Sequence, residues 1–303
     1  MDFPSSFFFI ALAMAPSAHP PTSEAFTEGA DGVRIHYIEA GPANASRNVL
    51  FIPGWRVSAK VWTQQIDYFA AKGFHVIAMD PRSQGESTIS ASGNTPENRA
   101  QDVDRVISNL KLTHLTLVGW SQGAQDVAAY VAQFGTVSVD KIVLVDSPVS
   151  AGPADVTETS GMVKQVLQGL GQYARTPDAY SKGLIQAIMK APPAPLTFDT
   201  LTTESLKTPV DTGISMLVSD ILTTDRRPSL KKFDKPTLVI ASGESLLLDA
   251  QKAMVQALPN AQFIAVDHAR HAVFVDAPDD FNRALMRFIE SPASGKSSAA
   301  PSS

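Results

Sequence analysis

Seven short apolar runs recur along the chain: VRIHYIEA (33–40), VLFIP (49–53), HVIAMD (75–80), LTLVG (115–119), KIVLVD (141–146), TLVIAS (237–242) and QFIAVD (262–267). Their length, their Val, Ile and Leu content and their closure by Gly, Pro or a polar residue are those of buried strands. Between them amphipathic helices are read at 61–71, 96–110, 121–134, 249–258 and 278–289. Strands that alternate with helices pair in parallel, because a parallel neighbour needs a crossover, and the crossover helices then cover both sheet faces. The pattern therefore predicts an α/β chain with a mostly parallel, doubly wound sheet. A length of 303 residues suits one large domain of this kind carrying an insertion.

The alternation fails once. From residue 147 to 236 no convincing buried strand occurs, while helix-period apolar sets do: Met162, Val166 and Leu170, then Leu184 and Ile188, then Ile214, Leu217 and Ile221. APPAP (191–195) and TTDRRP (223–228) read as joints within this stretch. An inserted helical cap over 147–236 follows, dividing the α/β core into 26–146 and 237–290. Insertions at strand ends are where pockets form, so Met162, Leu167, Leu170, Met189 and Leu217 are candidates for an apolar inner face. Outside the core, 1–25 reads as an N-terminal arm or secretory signal segment and the Ser/Ala/Pro-rich 291–303 as a disordered tail. SFFFIALAMA (6–15) has the length of a signal core, with Ala13-Met14-Ala15 as a cleavage site, but lacks a preceding basic residue. A cleaved signal would send the protein to a periplasm or outside the cell, and its absence would leave it cytoplasmic; the run is too short to span a bilayer.

Composition removes several function classes. A net charge of −5, with no block of Lys or Arg, argues against a nucleic-acid partner. The absence of cysteine excludes disulfides, thiolate metal sites and a cysteine nucleophile. No zinc-type spacing and no Gly-rich phosphate loop is present, so neither metal nor organic cofactor is expected.

TLVGWSQGAQ (116–125) places Ser121 between Gly119 and Gly123 where a buried strand gives way to a helix. In that context G-x-S-x-G is a nucleophile elbow, a sharp turn that lifts the serine above the sheet edge. A serine hydroxyl needs a base. Of six histidines, His36, His75 and His114 belong to strands or a turn and His19 to the N-terminal arm. His268 and His271, in VDHARHAVFVDAP, follow the last strand and reach the same carboxyl edge as Ser121.

These features together resemble the α/β-hydrolase fold superfamily, in particular its serine-esterase-like members with a helical cap, over about 33–289. FIPGW (51–55) is similar to the family's His-Gly oxyanion turn, with Pro53 in place of His. DPRSQGES (80–87) resembles its Asp-x-Arg-Gly-x-Gly-x-Ser loop, with Ser83 in place of Gly, and HAVFVDAP (271–278) resembles its terminal His segment. The resemblance selects His271 as the base over His268, and puts Arg270, where Gly is usual, beside the base as a candidate substrate contact. Two backbone N–H groups are needed for the oxyanion: the elbow supplies that of Gln122, and the resemblance implies that of Trp55, whose ring could also touch substrate.

The triad acid is where this chain departs from the family. Its usual place, after TLVIAS, is occupied by Leu246 in GESLLLDAQ (243–251). Asp146, at the end of KIVLVD, is the primary candidate and Glu244 the alternative, since a triad is defined by geometry and not by order. The resemblance implies a serine hydrolase that cleaves a small or medium carboxylic ester or lactone through an acyl-enzyme on Ser121. The same scaffold also hosts cofactor-free perhydrolases of the haloperoxidase type, amidases, carbon–carbon bond hydrolases and acyltransferases, and a non-catalytic ligand-binding receptor is the alternative from another class.

Overall fold

The computed structural model describes residues 21–150, 161–222 and 224–292, without the side chains of 161–165, 167 and 222. The chain opens with β1 (Thr22–Glu28), β2 (Arg34–Ala40) and β3 (Asn48–Ile52), then alternates: α1 (Thr63–Ala71), β4 (His75–Met79), α2 (Pro96–Asn109), β5 (Leu115–Trp120), α3 (Gln122–Phe134) and β6 (Val139–Val145). Four helices follow: α4 (Gly161–Arg175), α5 (Pro177–Ile188), α6 (Phe198–Leu206) and α7 (Val210–Leu222). Then come β7 (Thr237–Ser242), α8 (Leu248–Ala257), β8 (Ala261–Val266), α9 (Val273–Asp276) and α10 (Pro278–Glu290). The strands form one sheet in the order β1-β2-β4-β3-β5-β6-β7-β8. β1 and β2, and β2 and β4, pair antiparallel; every other pair is parallel.

Burial explains the arrangement. β3, β4, β5 and β7 are buried along their whole length, as strands covered on both faces must be. Their side chains alternate between two separate cores. Val49, Phe51, Val118, Val143, Leu238 and Ile240 join Trp62, Phe274 and Phe281 on one face. Leu50, Ile52, Leu117, Leu144 and Val239 join Val103, Val127 and Met254 on the other. This period of two is what lets a continuous apolar run serve both faces.

β1 is a strand that the sequence pattern misses. In TSEAFTE five of the seven residues are exposed and none is buried, and Thr22 to Ala25 fall in the stretch read from sequence as the N-terminal arm. Pairing with β2 from Thr22↔Ala40 to Glu28↔Arg34 holds this polar edge strand in place without a full apolar face. The signal segment expected at 1–15 lies outside the described residues, as does all of the tail beyond residue 292.

The order β4-β3-β5 makes the chain leave β3 toward one side and return on the other. Loops at the carboxyl ends of β3 and β5 therefore diverge, and the crevice between them is where α/β sheets place their chemistry.

Candidate active site

Ser121 follows β5 and precedes α3 at φ 56° and ψ −118°, a strained conformation for a residue with a side chain. The turn is held by the Ser121 N–H donating to Val145 O at 3.0 Å and by the Ala124 N–H donating to Ser121 O at 3.0 Å. Both flanking glycines are required by close approach. A Cβ at Gly119 would lie 2.3 Å from Gly123 O, and one at Gly123 would lie 2.5 Å from Ile52 O, so α3 could not sit this near β3 and β5. Gly54 approaches from the other side, where a Cβ would lie 3.0 Å from the Ser121 Cβ. The Pro53-Gly54-Trp55 turn thus lies directly against the elbow. Gln122 opens α3, and its N–H is among the first four of the helix, which have no intrahelical acceptor.

His271 follows β8 and meets Asp146, which follows β6. His271 Nδ1 is 2.8 Å from Asp146 Oδ2. The carboxylate is buried, and its other oxygen accepts the Ser242 N–H and the Gln251 Nε2–H, each at 3.0 Å. Burial works against the ionised carboxyl, but the hydrogen bond and charge of His271, with those of Gln251 and Ser242, outweigh it and hold the Asp146 pKa below its ordinary value. An ionised acceptor at Nδ1 keeps the proton on that nitrogen and leaves Nε2 as the basic one. The ring is anchored next to the elbow as well: Trp120 Nε1 donates to His271 O at 2.9 Å, and the two rings lie 5.2 Å apart. The imidazole keeps 29% of its side-chain surface open.

Other residues singled out from sequence fall into different places. The Glu244 side chain is exposed, and Leu246, at the family's usual acid position, is 93% exposed. His268 is exposed, sits at φ 59° and lines a groove of about 620 Å³ between β8 and α10 that includes none of Ser121, His271 or Asp146. Arg270 does not project as a free substrate contact. Its Nη1 donates to Gln186 O at 2.7 Å and Met189 O at 3.1 Å, where a guanidinium satisfies carbonyls at the C-terminal end of α5. His36 bridges Asp80 and Glu24, His75 bridges Asn48 and Glu39, and His114 is exposed beside Asp140.

Trp55 is buried against the inserted helices. It clusters with Leu170, Tyr173 and Met216, and Leu217 packs beside them, while Trp55 Nε1 donates to Gly213 O at 2.9 Å. Leu170 and Leu217 thus share a wall with Trp55. Met189 instead packs into the core on the Trp62 side of the sheet, and the side chains of Met162 and Leu167 lie outside the described residues. Three supporting residues escaped the sequence reading: Gln251 and Ser242 on Asp146, and Trp120 on His271. Only their tertiary partners give them a role. No group of three or more His, Cys, Asp or Glu that could hold a metal ion occurs among the described residues, and no described helix is long and apolar enough to cross a membrane.

A doubly wound sheet that gathers a serine elbow and a His–Asp pair on its carboxyl-edge loops is the framework of an α/β-fold hydrolase. The chain belongs to that family: the model of the alpha/beta hydrolase fold matches residues 47–278. Over 283 residues the chain is 27% identical to the non-heme chloroperoxidase CPO-A1 of Kitasatospora aureofaciens, covering 86% of this chain and 97% of that one. Over 140 residues it is 34% identical to the bifunctional esterase/perhydrolase DCH of Acinetobacter calcoaceticus, covering 46% and 50%. Its fold is similar to the esterase EaEST of Exiguobacterium antarcticum, with a TM-score of 0.79, 21% identity and coverage of 88% and 99%.

Proposed function

We propose that this α/β-type hydrolase cleaves small or medium carboxylic esters or lactones through an acyl-enzyme on Ser121. The observation that carries the reading is the His271–Asp146 pair, at 2.8 Å, anchored through Trp120 beside the serine elbow. Ser121 Oγ attacks the carbonyl carbon while His271 Nε2 takes its proton, and Asp146 stabilises the imidazolium. The carbonyl oxygen gains the negative charge and is held by the Trp55 and Gln122 N–H groups. His271 then protonates the leaving alcohol, and in the second half it deprotonates the water that releases the acid. The inserted helices act as a cap over 147–236, and the wall of Trp55, Leu170 and Leu217 favours an apolar acyl or alcohol group.

A second reading is favoured by the relatives, which include a bifunctional esterase/perhydrolase and a non-heme chloroperoxidase. Hydrogen peroxide can replace water as the acceptor of the same acyl-enzyme, giving a peracid with no cofactor. One experiment tests both. Wild type and Ser121→Ala are assayed against short p-nitrophenyl esters, lactones and amides, with a fluorophosphonate probe, and for peracid formation from a carboxylic acid and peroxide. Ester turnover and labelling that fall by at least about 10⁴ in the variant are expected, on the scale of nucleophile removal. Undiminished turnover in Ser121→Ala would sink the proposal. A wild type that neither labels nor turns over would instead favour a binding protein.

A further inference from the structure

Trp55 and Gln122, the two residues given the oxyanion role, come from loops after different strands, yet one side chain joins them. Gln84 lies in the PRSQG turn and is completely buried. Its Oε1 accepts the backbone N–H of Arg56, the residue after Trp55, and its Nε2 donates to Gln122 Oε1 at 3.3 Å. The orientation of this amide is forced, because a backbone N–H can only donate and so must face the oxygen. Direction then propagates along the chain of bonds: Gln122 Nε2 donates to Asp220 Oδ2, and Asp220 is fixed by Arg99 Nη2 at 2.7 Å. All four side chains are buried.

The backbone is contorted to deliver Gln84 inward. Ser83 and Gly85, on either side of it, both have positive φ, at 63° and 54°, and a Cβ at Gly85 would lie 2.1 Å from Asp80 Oδ2. Ser83 tolerates this conformation with its hydroxyl donating to Asn94 Oδ1 at 2.8 Å and accepting from the Ser90 N–H at 2.9 Å. A glutamine in such a turn would ordinarily face water. Here it is the bridge between the two donor segments. Helix α7 holds the outer ends of the same assembly, since Gly213 O accepts from the Trp55 ring and Asp220 accepts from Gln122. Seven residues apart, these two positions lie about two turns apart on one face of the helix.

We infer that Gln84 is a positioning residue that sets the separation of the Trp55 and Gln122 N–H donors, with the inserted helix α7 anchoring both ends. This rests on the proposed function, and the experiment keeps the two apart. Gln84→Met, Gln122→Met and the double variant are compared with wild type after fluorophosphonate titration of active sites. The readouts are kcat and KM on a short p-nitrophenyl ester over a range of pH, and thermal unfolding. Each single variant breaks the same bridge from one end, so each should lose roughly 10- to 100-fold in kcat per titrated site, with KM within about threefold, the scale of a misplaced donor. The double variant should lose little more than either single one, because the bridge can be broken only once. The pH midpoint should not move, since Gln84 touches neither His271 nor Asp146. A merely structural Gln84 would lower the melting temperature and leave kcat per site unchanged, and that result overturns the inference while wild-type labelling and turnover still stand. Additive losses in the double variant overturn it too. Failure of the functional reading looks different, as a wild type without Ser121-dependent labelling.

Discussion

Replacing Asp146 by Asn is the sharpest probe of the site, because the surroundings dictate how the new amide must lie. Asp146 Oδ1 accepts from the Ser242 N–H and from Gln251 Nε2–H, both at 3.0 Å. Those donors require an oxygen at that position. The Asn oxygen is therefore held there, and its NH₂ is turned toward His271 Nδ1, now 2.8 Å from a donor instead of an acceptor. Nδ1 must then accept, which moves the imidazole proton to Nε2 and leaves no lone pair to receive the serine proton. The wrong tautomer costs about 10⁴ in kcat in a serine triad, or about 5.5 kcal/mol of barrier. Steady-state hydrolysis of p-nitrophenyl esters, normalised to folded protein, measures the loss, with Glu244→Gln as control at close to wild-type turnover. If Asp146→Asn stays within tenfold of wild type while Glu244→Gln collapses, the acid is misassigned and the tautomer argument fails.

Two further outcomes follow from packing and charge. Gly119→Ala would place a Cβ 2.3 Å from Gly123 O, so α3 and β5 must separate; a loss of roughly 1–3 kcal/mol is expected, read as a lower urea midpoint at constant slope, and an unchanged midpoint refutes the close packing of the elbow. His36 is one pH-sensitive group of the fold: burial disfavours its charge, but the hydrogen bond and charge of Asp80, with Glu24 beyond, outweigh it and raise its pKa. Its stabilisation is therefore fully present below the unfolded-state value and is lost as pH rises through the folded one. The melting-temperature gap between wild type and His36→Gln should be wider at pH 5.5 than at pH 9, and a gap that widens with pH would contradict the sign.

Much of the fold could be read from the chain because its strands are buried on both faces. KIVLVD and TLVIAS announce themselves by composition alone. β1 does not, since an edge strand needs only one partner and TSEAFTE carries little apolar surface. Helix α6 is hard to read for a related reason. FDTLTTESL is rich in Thr, a modest helix former, and its start is marked by a Thr197–Thr200 capping box instead of the usual acidic partner. At the site, Ser121 and His271 belong to motifs whose local spacing is informative. Gln84 and Gln251 are another matter: their partners lie 38 and 105 residues away, and nothing in PRSQG or LLDAQ marks the glutamine as buried. Arg270 shows the converse, a charge beside His271 that local position assigns to substrate and tertiary packing assigns to the end of α5.

The position of Asp146 after β6 also has a bearing on the order in which the proposed site comes into being during synthesis. Ser121 and Asp146 belong to a single strand–helix–strand unit, β5–α3–β6, whose parallel pairing runs from Leu115↔Val139 to Trp120↔Val145. The proposed nucleophile and acid can be brought into register as soon as that unit has left the ribosome. The imidazole that the proposed mechanism needs is encoded 125 residues beyond Asp146, after helices α4 to α7 and strands β7 and β8. Until it emerges, the proposed mechanism leaves Ser121 an ordinary alcohol with no base to take its proton. On the proposed mechanism, the growing chain thus carries a chemically silent serine through about half of its translation, and its triad is complete only after helices α4 to α7 have been made.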